Sequence, residues 1–114
     1  MLKGLGGLGD MAKMMKAAKD MQGKVEELQR ELEVMTVTGE SGAGLVRATA
    51  TAKGVLTGLD IDPSIFNPDE KEVVEDLILA AIKDAQAKAA EKSQSEMKKM
   101  AEAVGLPADF KMPF

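Results

Sequence analysis

The sequence predicts an α+β fold in the order α-β-β-β-α, with a three-stranded antiparallel sheet between two long helices. Three observations predict it. Between Gly42 and Phe66 the chain alternates with period two, putting Val46, Ala48, Ala50 and Ala52 on one face and Leu45, Arg47, Thr49 and Thr51 on the other. Before that stretch, Met11, Met14, Ala18, Met21, Val25, Leu28, Leu32 and Met35 follow one another in alternating steps of 3 and 4 residues, the repeat of a coiled-coil seam. After it, Val74, Leu77, Ile78, Ala81, Ile82 and Ala85 mark the apolar stripe of a second helix.

Taken in order, residues 1–9 are glycine-rich and are expected to form a flexible N-terminal tail. Gly4-Leu5-Gly6-Gly7-Leu8-Gly9 matches G-x-G-x-x-G literally, but a dinucleotide loop needs a strand before it inside a βαβ unit, and none precedes it in this sequence. Asp10 is the expected N-cap of the first helix, whose outer side carries Lys13, Lys16, Lys19, Glu26, Glu27, Arg30 and Glu33. Gly23 falls on that outer side and weakens the helix without opening a hole in the seam. Met21, Val25, Leu28 and Leu32 are the seam positions expected in the core or at a dimer interface. Thr36-Val37-Thr38 reads as a short first strand, and Gly39–Gly44 as a turn cluster. Lys53-Gly54 turns the hairpin, Val55, Thr57, Leu59 and Ile61 resume the alternation, and Asp62-Pro63 ends it. The small side chains of the alanine face let a helix lie close against the sheet. Asn67 then caps a second helix with Pro68 at its first position. Gln86–Gln94 offers little to bury, Met97, Met100, Ala101 and Val104 restore an apolar face, and Gly105 with Pro107 stops the helix. One domain, residues 10–105, is therefore expected, followed by a C-terminal tail, residues 106–114.

Length turns this order into a shape. The first helix, at about 37 Å, outruns strands of about 20–26 Å by more than about 10 Å. Met11, Met14 and Met15 lie on the overhanging end and need a partner, which the far end of the second helix can supply. Both helices then project the same way as an antiparallel arm. The heptad seam and the thin core together predict a homodimer with projecting helical arms.

Composition removes several classes of function. The 114 residues include no Cys, His, Trp or Tyr, which removes thiolate zinc sites, disulfides, the usual general base and two aromatics used for stacking on bases. No apolar run approaches the roughly 20 residues of a membrane span, and MLKGLGGLGD has no signal-peptide core. Asp60 and Asp62 share one face of a strand and are the best available carboxylate pair for acid/base work or Mg²⁺. The simpler account is that Asp62 shapes the turn before Pro63 and Asp60 is solvated. No enzyme activity, cofactor, metal or small-molecule substrate is expected.

Charge is distributed unevenly. Residues 1–24 carry +3, residues 25–76 carry −8 and residues 77–114 carry +1, within a net charge of −4. Lys88, Lys92 and Lys99 fall within a stripe about 40° wide. Such a stripe is most often a solvated helix face, but it can also bind phosphate although the whole chain is acidic.

Five stretches carry a resemblance: MMKAAKDMQGKVEELQRELE, GESGAGLV, LDIDPSIF, EDLILAAIKDA and LPADFKMPF. In this order, through nearly the whole chain, they resemble the YbaB/EbfC family of bacterial nucleoid-associated proteins. The resemblance implies a dimer with protruding helical arms, like tweezers. It implies binding of double-stranded DNA with weak sequence preference in the cytoplasmic nucleoid, with a role in nucleoid organisation and gene regulation. Thr51-Ala52-Lys53-Gly54 stands where the family often has Asn-Gly, and Lys83-Asp84-Ala85 where it commonly shows Asn-Asp-Ala. With the charge layout, this makes Lys13, Lys16, Lys19, Lys88, Lys92 and Lys99 the expected DNA-binding residues. The competing reading is a protein-binding scaffold that uses the Met-rich surface for a partner's helix.

Overall fold

The computed structural model describes residues 2–103 and Gly105, with side chains from Gly9 onward. Its elements are α1 (Leu2–Val34), β1 (Thr36–Ser41), β2 (Val46–Thr51), β3 (Leu56–Ile61) and α2 (Lys71–Ala103). The three strands form one antiparallel meander in the order β1-β2-β3. The whole is long and thin, 83 × 22 × 17 Å.

The alternation of β2 decides where the core sits. Val46, Ala48, Ala50 and Ala52 are all buried, while Arg47 is exposed. Against them lies α2, presenting Ala81 and Ala85, with Val37, Leu77, Ile78 and Ile82 around the cluster. A buried methyl contributes only about 0.8 kcal/mol, so this alanine core gains from closeness rather than bulk. The closest point is Gly39 on β1. A Cβ there would overlap the Ala85 backbone nitrogen and come within 2.5 Å of the Ala81 carbonyl oxygen. Gly39 thus belongs to the sheet and not to a turn, and β1 runs three residues past its expected end at Thr38.

The hairpin between β2 and β3 closes with Thr51 N donating to Val55 O at 2.8 Å and Gly54 N donating to Thr51 O at 2.8 Å. Gly54 takes φ +88°, the left-handed residue of a three-residue loop. An irregularity after Thr49/Ala50 then changes the phase of β3. Ile61 pairs with Val46, Leu59 with Ala48 and Leu56 with Ala50. Leu56, and not Thr57, therefore shares the core-side face, because directly paired residues point the same way.

Among the described residues α2 alone covers the sheet, lying over β1 and β2. The sheet precedes α2 and follows α1 in the chain, but α1 does not cap its other face. Instead, Leu28 and Leu32 of α1 bury themselves against Ala52 at the hairpin tip and Met100 of α2, with Met21, Val25, Met35 and Met97 alongside. Ser93 ties the same corner by donating its hydroxyl to Ala52 O, and Ala52 N donates to Met35 O at 2.9 Å. Ala89 is buried too, so the stretch Gln86–Gln94 has more to bury than its composition suggested. Antiparallel α1 and the end of α2 thus pack together around Leu28, Leu32, Met97 and Met100, which is only the inner part of the expected arm.

Two helix boundaries differ from expectation. α1 begins at Leu2, so residues 2–9 are helical in this structure and Asp10 is not a cap. Each glycine there costs about 1 kcal/mol relative to alanine, which is why the sequence reads as a tail. Asn67 caps a short 3₁₀ turn, Pro68–Glu70, accepting from Asp69 N at 3.0 Å, and α2 follows at Lys71. Val104 and the expected tail, residues 106–114, lie outside the described residues.

Candidate nucleic-acid interface

The six lysines expected to meet DNA fall into three different settings. Lys13, Lys16 and Lys19 stand on α1 beyond the part that α2 covers, and all are exposed. Among the described residues none of the three forms an ion pair within 4 Å. On the same overhang Met11, Met14 and Met15 are 60%, 70% and 62% exposed, so α2 stops short of the partner role expected of it. Asp10 and Asp20 bracket this segment, and the local balance stays positive.

Lys88 lies beside the sheet and not on the arm. Its ammonium donates to Thr38 O at 3.2 Å and pairs with Asp84 at 3.0 Å. Asp84 in turn accepts from Glu40 N at 2.9 Å. Together the two side chains satisfy backbone groups on the outer edge of β1, which would otherwise invite another strand. The bond from Glu40 N, with that from Lys88, holds the Asp84 carboxyl below its usual range.

Lys92 and Lys99 share one carboxylate. Glu96 lies 3.4 Å from Lys92 and 3.3 Å from Lys99, and its side chain is only 15% exposed. The hydrogen bond from Lys99 leads the lowering of the Glu96 pKa, with Lys92 adding to it. Glu96 therefore stays ionised and half-neutralises the stripe that a phosphate would have to enter. This partner was legible in the spacings 92/96 and 96/99, which place the charges on one helix face.

Beyond these six, Lys24, Arg30, Lys83 and Lys98 are also exposed and form no ion pair within 4 Å among the described residues. Arg47, on the outer sheet face, is held by Glu40 at 3.2 Å. Asp60 pairs with Arg47 across β2 and β3 in the strand register. Asp62 accepts from Ser64 N at 2.8 Å as the cap of a 3₁₀ turn, a bond that lowers its pKa. The two carboxylates thus have separate structural settings. No cluster of three or more acidic, His or Cys groups suited to a metal occurs among the described residues. No described helix is long and apolar enough to cross a membrane.

Comparison with known proteins identifies relatives. The sequence profile of the YbaB/EbfC DNA-binding family matches residues 7–104. A nucleoid-associated protein of Gluconacetobacter diazotrophicus is 43% identical over 105 residues, covering 92% of this chain and 98% of that protein. One from Maricaulis maris is 46% identical over 105 residues with the same coverage. The crystal structure of an uncharacterized Helicobacter pylori protein superposes with a TM-score of 0.67 at 21% identity, covering 78% of this chain and 94% of that one. At that identity the likeness shows the fold alone.

Proposed function

Since the chain belongs to the YbaB/EbfC DNA-binding family, we propose that it works as a nucleoid-associated protein that grips duplex DNA through the lysines of α1. The observation that carries this is the contrast between Lys13, Lys16 and Lys19, exposed and without an acidic partner among the described residues, and Lys88, Lys92 and Lys99 of α2, each within 4 Å of a carboxylate. Phosphate is attracted most where the cation has no carboxylate to give up. Lys92 and Lys99 contribute second, by exchanging Glu96 for phosphate. Lys88 contributes least, because it already serves the β1 edge. Contacts of this kind read the backbone and not the bases, so sequence preference is weak. The protein acts by binding in the cytoplasmic nucleoid, altering DNA conformation and contributing to nucleoid organisation and gene regulation. It carries out no chemistry of its own.

The active species is a homodimer. Supporting this, α2 leaves Leu56 and Leu59 of β3 42% and 48% exposed on the face that continues the core, with Phe66 61% exposed. A second copy over this flank would bury them and present two arms to one duplex, raising the effective concentration of each for the other. Titrating fluorescent duplex DNA at two salt concentrations tests binding. A tight complex that weakens steeply with salt is expected, and a salt-independent or absent complex contradicts it. Light scattering tests assembly: a dimeric parent and a folded, monomeric Leu59→Asp variant are expected, whereas a monomeric parent rules the dimer out.

A further inference from the structure

Sulfur in this chain is confined to thioethers, since the sequence has nine methionines and no cysteine. The structure sorts the methionines it describes by exposure. Met100 is 9% exposed and packs with Leu28, Leu32 and Ala52 in the inner part of the arm. Met21, Met35 and Met97 lie half-buried around the same cluster. Met11, Met14 and Met15, on the uncovered overhang of α1, are 60%, 70% and 62% exposed. Each of these three stands within about one helical turn of Lys13, Lys16 or Lys19.

A thioether reacts with a peroxide through the sulfur lone pair. The S–O bond forms as the O–O bond breaks, and the departing hydroxide takes the proton from the transferred oxygen. Sulfur loses two electrons, the peroxide gains two, and the products are methionine sulfoxide and water. The sulfur must be reached for this to happen, so the overhang reacts ahead of Met100. The sulfoxide is polar, and a reductase can return it to the thioether. In the inner arm it would place a polar group among Leu28, Leu32 and Ala52 and loosen the packing of α1 on α2. On the overhang it changes a side chain that already faces water and leaves every charge in place.

We propose that Met11, Met14 and Met15 are a sulfoxidation site that intercepts peroxide before it reaches the methionines of the inner arm. Oxidation of the overhang leaves the fold and the neighbouring ammonium groups unchanged, so the oxidised protein keeps its hold on DNA. This last point rests on the α1 lysines being the grip.

The test is a limiting dose of hydrogen peroxide, one equivalent for each overhang methionine, followed by peptide mapping with mass spectrometry. In the parent, sulfoxide should form on Met11, Met14 and Met15 roughly ten-fold faster than on Met100. The urea midpoint and the affinity for duplex DNA should stay as they were. Met11→Leu/Met14→Leu/Met15→Leu keeps good helix formers on the overhang but removes its sulfur. The same dose should then put more sulfoxide on Met97 and Met100 and lower the urea midpoint. Equal rates at Met100 and on the overhang overturn the proposal, and so does a variant whose inner arm is oxidised no more than the parent's. Loss of DNA binding when the overhang alone is oxidised overturns the sparing of the grip. A failure of the lysine reading itself shows separately, in lysine variants that were never oxidised.

Discussion

At the scale of single residues, the fold depends on places where backbone meets backbone. Gly39 is the sharpest. A valine there has no room against Ala81 and Ala85, so Gly39→Val should cost about 3 kcal/mol, read as a lower urea midpoint. An unchanged midpoint would mean that α2 does not lie on β1 as described. Charge-paired residues give a second expectation. Asp84 and Glu96 have pKa values below their ordinary 3.8 and 4.5, so their contribution to stability is present above those values and is lost as pH falls through the folded values. Unfolding midpoints measured from pH 5 to pH 3 should decline, and Asp84→Asn should flatten the decline; a parent curve independent of pH would show these pairs to be idle. Glu96→Gln leaves Lys92 and Lys99 without their shared acid. It should tighten DNA binding a few-fold at low salt, and weaker binding would show that Glu96 positions those lysines instead.

At the scale of elements, some of the architecture was legible and some was not. Period two in β2 named its buried face correctly, because every second residue from Val46 to Ala52 is apolar and small. The heptad seam likewise named Leu28 and Leu32 as seam residues, and they are buried. What spacing could not reveal was how far a partner extends along the seam, since that depends on where α2 ends in space. Gly39 was hidden among glycines that read as turn, although its meaning is a close approach. The phase change in β3 was signalled only by Gly58, the isolated strand glycine that pairs with Thr49 at the irregularity, while the alternation of Val55, Thr57, Leu59 and Ile61 read as regular. In the candidate site, lysine exposure was readable but the structural duty of Lys88 was not, because its partner Thr38 is 50 positions away. The packing of α1 on α2 gives its own test. Leu28→Asp places a charge in a cluster that is otherwise apolar, which should cost about 3–5 kcal/mol and release the arm. Circular dichroism with urea titration checks it, and a variant as stable as the parent would remove Leu28 from the core.

At the scale of the whole molecule, an 83 Å body separates an acidic sheet region from a basic helix end. Everything proposed about function turns on this basic end holding the DNA. The α1 lysines allow a cleaner test than Lys88, whose replacement would also disturb the β1 edge. Binding isotherms on duplex DNA at several salt concentrations should be compared for the parent, the Lys13→Glu/Lys16→Glu/Lys19→Glu variant and Arg47→Glu, with circular dichroism confirming that each is folded. The triple variant should bind at least roughly ten-fold more weakly, and its salt slope should fall by about one unit for each phosphate no longer neutralised. Arg47→Glu should bind nearly like the parent. A triple variant that binds like the parent, beside an Arg47→Glu variant that no longer binds, would make the sheet, and not the helix end, the face that meets DNA.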